Sequence, residues 1–157
     1  MKILVPVDGS NASINAVKKA IEIAKKHSYS IKLISIVKSM DYKRNENLWS
    51  AVDGSIIVEN EELNKNYEKR NKENFEKLLN AIVSKLDFNG IRVEKDVLLG
   101  EPYAVITEVA KKENFDLIVM GSRGFSKIKR FFVGSVTQRV ISEAPCPVLV
   151  IRSDFED

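Results

Sequence analysis

DLIVMGSRGFSKIKRFFVGS, residues 116–135, is the stretch that decides how this chain is built. Its first part, Asp116 to Met120, is a short run rich in branched apolar residues, and Gly121 follows at once. A run this short, closed by a turn former, reads as a strand rather than a helix. Its last part, Gly134-Ser135, opens a helix that carries Val136, Val140 and Ile141 toward a core. Strand, polar glycine-bearing connection, helix: the rest of the chain repeats that alternation on both sides.

Working outward, Ile3 to Val7, Ile31 to Val37 and Pro147 to Ile151 are further strand candidates, and Ile91 to Leu98 is a fifth that alternates more with charge. Ile3 to Val7 and Pro147 to Ile151 are almost uninterrupted in apolar character, which predicts burial on both faces, as in parallel sheets. Ser10-Asn11 can cap a helix with an apolar stripe of Ile14, Val17, Ile21 and Ala24. Residues 59–87 form a charged amphipathic helix whose stripe is Phe75, Leu78, Leu79, Ile82 and Leu86. Glu101-Pro102 opens another helix, with proline in the first turn where its missing N–H does no harm. The order β-α-β-α-β-α-β-α-β predicts an α/β, Rossmann-like fold: an open five-stranded parallel sheet with helices on both faces. Nothing divides residues 1–157 into two domains, and residues 38–58, with Trp49 and Ile56-Ile57-Val58, read as a variable loop.

Composition bounds the function. Hydrophobic residues make up 44% and charged residues 30% of 157, ordinary for a folded domain. A net charge of +3, from 25 Lys plus Arg against 22 Asp plus Glu, gives no reason to expect nucleic acid or a membrane surface as partner. Cys146 is the single cysteine, so no internal disulfide forms, and it reads as a small buried residue. No apolar run is long enough for a signal peptide or a membrane span, and a cytoplasmic location is expected. One histidine, His27, and one cysteine make a protein-borne metal site improbable; His27 suits the end of a helix.

Open α/β sheets take ligands beyond the carboxyl ends of their strands, where the strand order reverses. Two polar, glycine-bearing turns stand at such ends: Asp8-Gly9-Ser10 and Gly121-Ser122-Arg123-Gly124. Glycines let backbone N–H groups close around an anion, a helix start at Gly134-Ser135 adds unpaired donors, and Arg123, Lys127, Lys129 and Arg130 add positive charge. The combination describes a phosphate cradle with room for something larger beside Asp8. Side-chain bulk at Gly124 or Gly134 is expected to abolish binding there.

Gly121-x2-Gly124-x9-Gly134-Ser135 resembles the ATP-binding motif of the universal stress protein family. The opening Ile3-Leu4-Val5-Pro6-Val7-Asp8-Gly9-Ser10 and the closing Ala144-Pro145-Cys146-Pro147-Val148-Leu149-Val150 are similar to that family too, so the resemblance spans nearly the whole chain. It implies an adenine nucleotide alpha hydrolase-like sheet of order 3-2-1-4-5. It implies that Asp8, with backbone groups of Pro6 and Val7, meets adenine and ribose, and that Val37 packs on the base. Met120, Gly121, Arg123 and Gly124 would complete the ribose and phosphate contacts with Gly134, Ser135, Val136 and Thr137. ATP would carry Mg or Mn on its phosphates, and two copies would pair through Pro147 to Ile151, with a further protein partner left unidentified.

Competing chemistries fail on their motifs. No Gly-x-Gly-x-x-Gly follows the first strand, no Gly-x4-Gly-Lys-Ser/Thr occurs, and the third strand ends Val97-Leu98-Leu99-Gly100 without a phosphorylatable aspartate. A regulatory ATP-binding module is therefore expected. A slow ATPase or nucleotide-transfer enzyme would use the same pocket, yet no residue stands out as a catalytic base. A nucleotide-free dimeric scaffold is disfavoured by the retained glycine motif.

Overall fold

The sheet runs β3-β2-β1-β4-β5, all parallel, with β1 at Lys2–Pro6, β2 at Ser30–Val37, β3 at Val93–Leu99, β4 at Leu117–Gly121 and β5 at Val148–Ile151. The computed structural model describes residues 1–39, 54–123 and 133–152, with side chains for all of these except 54–61. Among the described residues, four helices connect the strands: α1 (Asn11–His27), α2 (Gly54–Lys85), α3 (Pro102–Lys112) and α4 (Ser135–Glu143). Each expected strand is present, within two residues of its expected ends. Trp49, Gly124, Lys127, Lys129 and Arg130 lie outside the described residues.

The pleat sorts side chains onto two cores. Ile3, Val5, Ile31 and Leu33 point to the face covered by α1 and α2, where they meet Val17, Ala20, Leu79 and Ile82. Leu4, Ile34, Ile118 and Met120 point to the opposite face, covered by α3 and α4 through Ile106, Ala110 and Val140. Both faces of the central strands are therefore buried, which explains why their sequences read as unbroken apolar runs.

Two helices depart from expectation. α2 begins at Gly54 and so takes in Ile56-Ile57-Val58, which were expected in the 38–58 loop and are β-branched. The helix penalty of such residues is only tenths of a kcal/mol each, too little to end a helix whose later turns are anchored in the core. Ile141 on α4 is half exposed, at 51%, although a core position was expected. Val136, Thr137 and Val140 lie one helical turn apart and define the inward face, and Ile141 is rotated about 100° beyond Val140.

Candidate functional site

Strand order reverses between β1 and β4: the chain goes one way through β2 to β3 and returns the other way to β4 and β5. The β1–β4 register is formed at Ile3/Leu117 and Leu4/Ile118, whereas β1–β2 runs from Lys2/Ser30 to Pro6/Ile34. Val7 donates toward β2, through its N–H to the Ile34 carbonyl at 2.8 Å. By alternation the N–H that Pro6 lacks belongs on the β4 side, so the ladder between β1 and β4 has no donor there. The cleft opens where that pairing stops.

Each wall of the cleft has a local cause. On the β1 side, the chain turns through Gly9 (φ 87°) into α1, whose N-cap is Ser10. The Asp8 carboxylate accepts two bonds on Oδ1, from the Ser10 N–H at 2.9 Å and the Ser10 hydroxyl at 2.5 Å. Ser10, not Asp8, caps the helix, accepting from the Ser13 N–H at 3.3 Å. On the β3 side, Gly100 makes a turn at φ 150° that a side chain would disfavour, and an added Cβ would sit 2.7 Å from Val105 Cγ2. That turn delivers Pro102 and Ile106 of α3 to the cleft.

The β4 side is the most constrained. A Cβ at Gly121 would fall 2.8 Å from the backbone carbon of Ala12 and 2.9 Å from the Ser13 nitrogen, so this glycine is where β4 and the first turn of α1 touch. The Gly121 carbonyl accepts from the buried Thr137 hydroxyl at 2.9 Å, fastening α4 to β4. Ser122 donates its N–H to Ile151 at 2.7 Å and accepts from the Gly134 N–H at 2.8 Å. Gly134 is the N-cap of α4 and supplies no side-chain acceptor. The next N–H groups, of Ser135, Val136 and Thr137, belong to the first turn and have no acceptor within the helix. An uncapped helix start at a cleft is suited to an anion.

Together these walls enclose about 190 Å³. Pro6, Val7 and Asp8 line one side, Met120, Gly121 and Arg123 another, and Val136 and Thr137 the end. That space is smaller than typical pockets for drug-sized ligands. The lining combines apolar surface with the Asp8 carboxylate and Arg123, and the first-turn N–H groups of α4 stand at its end.

A family model described as the universal stress protein family matches residues 1–152. The chain belongs to that family. A curated universal stress protein of Methanocaldococcus jannaschii is 33% identical over 153 residues, covering 96% of this chain and 81% of its own. The solved structure of the universal stress protein UspA from Lactobacillus plantarum is 27% identical, with 97% of each chain covered and a TM-score of 0.72. A universal stress protein from Archaeoglobus fulgidus, solved in complex with dAMP, shares the fold at 22% identity and a TM-score of 0.57, over 96% of this chain and 97% of its own.

Within this universal stress protein, the expected site residues separate into three groups. Pro6, Val7, Asp8, Met120, Gly121, Arg123, Val136 and Thr137 come together around the cleft. Gly134 and Ser135 stand at its mouth without lining it. Val37 does not line it: Ile36 does, because alternation along β2 turns Ile36 to the cleft face and Val37 to the other. The expected backbone contacts are also narrowed, since Val7 has spent its N–H on Ile34 and its carbonyl accepts the buried Ser35 hydroxyl at 2.7 Å. Among the described residues, a Cβ at Gly134 would meet Ser122 O at 3.4 Å and Arg123 Cα at 3.5 Å, ordinary contacts that leave the backbone there room for a methyl group.

Ser13, Ile36, Pro102 and Ile106 were missed as lining residues. Pro102 and Ile106 carried a usable signal, since they open the helix that follows a strand's carboxyl end. Cys146 lies away from the cleft, and partial burial with the nearby Asp116 holds its thiol above the ordinary range, the opposite of what a nucleophile needs. His27 closes α1 at the far end of the sheet and stacks on Tyr29 with ring centroids 5.2 Å apart.

Proposed function

We propose that the protein is an ATP-binding regulatory module, with adenosine in the cleft between β1 and β4 and the phosphates at the start of α4. The observation that carries this reading is the pairing of Asp8 at one side of the cleft with an uncapped helix N-terminus at its end. A carboxylate accepts from ribose hydroxyls or an amino group, and free N–H groups donate to phosphate oxygens, so a nucleotide satisfies both at once. That a related universal stress protein has been solved with dAMP supports an adenine nucleotide as the class. Mg or Mn would arrive on the phosphates. The residues contribute binding rather than hydrolysis: Asp8 is the carboxylate of the cleft, and one of its oxygens is already occupied by Ser10.

The reading extends to a cytoplasmic homodimer that signals to a protein partner. β5 is an edge strand whose Val148, Leu149, Val150 and Ile151 are all partly exposed, an arrangement that invites pairing with a second copy. Denaturing freshly purified protein and chromatographing what is released, beside an ATP titration with magnesium, tests the nucleotide. Released or bound ATP is expected, with little turnover. Strong hydrolysis abolished by Asp8→Ala or Arg123→Ala would contradict a binding module, and no nucleotide in either experiment would leave a scaffold.

A further inference from the structure

We infer that Ser10 is a positioning residue for the nucleotide pocket, whose hydroxyl clamps the Asp8 carboxylate against the first turn of α1. The inference rests on the nucleotide reading above. Capping accounts for one half of what Ser10 does: its oxygen accepts the Ser13 N–H at 3.3 Å. It does not account for the hydroxyl proton. That proton has two acceptors in range, Asp8 Oδ1 at 2.5 Å and the Arg123 carbonyl at 3.4 Å, and it can satisfy only one. The short bond to the carboxylate prevails, because hydrogen bonds to an ionised acceptor are the shorter and stronger kind.

Three consequences bear on the cleft. Ser10 is 5% exposed, so water does not compete for the bond. Its N–H, at 2.9 Å, falls on the same carboxylate oxygen, so two donors from one residue fix the Asp8 rotamer. Both bonds engage Oδ1, and among the described residues no donor reaches Oδ2, which is left for a ligand hydroxyl or amino group. Ser10 does not line the cleft; it acts through Asp8. Ser13 closes the arrangement from below by donating its own hydroxyl to the Ser10 carbonyl at 2.9 Å.

Capping and clamping separate by substitution. Ser10→Asp keeps a good N-cap acceptor but has no proton to give and sets a second carboxylate beside the first. Ser10→Ala loses both functions, and Ser10→Thr keeps both. Titration with adenosine, alongside thermal unfolding, reads the difference. Ser10→Ala and Ser10→Asp are expected to weaken adenosine binding about tenfold or more. Ser10→Asp should unfold at a higher temperature than Ser10→Ala, and Ser10→Thr should recover most of the affinity. Wild-type adenosine affinity in Ser10→Asp, or losses that merely track unfolding temperature across the three variants, would overturn the role of Ser10 and leave the nucleotide reading standing. Failure of the wild-type protein to bind adenosine or ATP would remove that reading itself, and the inference with it.

Discussion

Gly121→Ala is expected to lower stability by about 2–3 kcal/mol, the upper part of the range for overpacked sites. The added methyl would sit 2.8 Å from the Ala12 carbon, 2.9 Å from Ala12 Cβ and 2.9 Å from the Ser13 nitrogen. Two of these are backbone atoms in the first turn of a helix, so rotamer change brings no relief. Either β4 or α1 must move, and β4 is held on both sides by its neighbours in the sheet. Gly134→Ala provides the contrast. Among the described residues its methyl would meet only ordinary contacts, the nearest at 3.4 Å, and its φ of −62° suits any residue, so a change within about 1 kcal/mol is expected. Urea denaturation of both variants measures the difference; equal losses would show that the two glycines are not distinguished by packing.

Ser135→Asp should act on stability and on binding with opposite signs. Ser135 is exposed at the first position of α4, after an N-cap that provides no side-chain acceptor. A carboxylate there complements the helix dipole and should add about 0.3–1 kcal/mol to stability. It also stands where phosphate is proposed to bind. Two like charges about 5 Å apart, at the effective dielectric of a protein surface, repel by about 3 kcal/mol before salt screening. A loss of about 2–3 kcal/mol, or about thirty- to 150-fold in ATP affinity, follows. Adenosine affinity should change little, and the ATP deficit should shrink as salt is raised. Calorimetric titration with both ligands decides it: a loss shared equally by ATP and adenosine would place the phosphates elsewhere.

The fold was legible because both cores leave a mark on the chain. Central strands buried on two faces read as unbroken runs such as Ile3 to Val7, and Ser10 and Pro102 mark helix starts in place. The same double burial hides which side of a strand meets the cleft. Ile36 and Val37 are both apolar, so nothing in their chemistry says that Ile36 turns inward, and the choice of Val37 came from resemblance alone. The glycines were legible as a motif but not as separate devices: Gly121 serves the contact between β4 and α1, and Gly134 donates its N–H to Ser122. Those distinctions depend on partners more than ten residues away, which spacing does not encode. Ile141 was misplaced for a related reason: Val136, Thr137 and Val140 take the inward face of α4, and which of two adjacent apolar residues turns inward is set by how the helix packs rather than by spacing.

Amide chemical-shift mapping during an ATP titration tests the central claim most directly. The account predicts that the perturbed amides cluster at Val7, Asp8, Ile36, Ile106, Val136 and Thr137, around the cleft between β1 and β4. Shifts confined to other surfaces, or none at millimolar ATP, would contradict it.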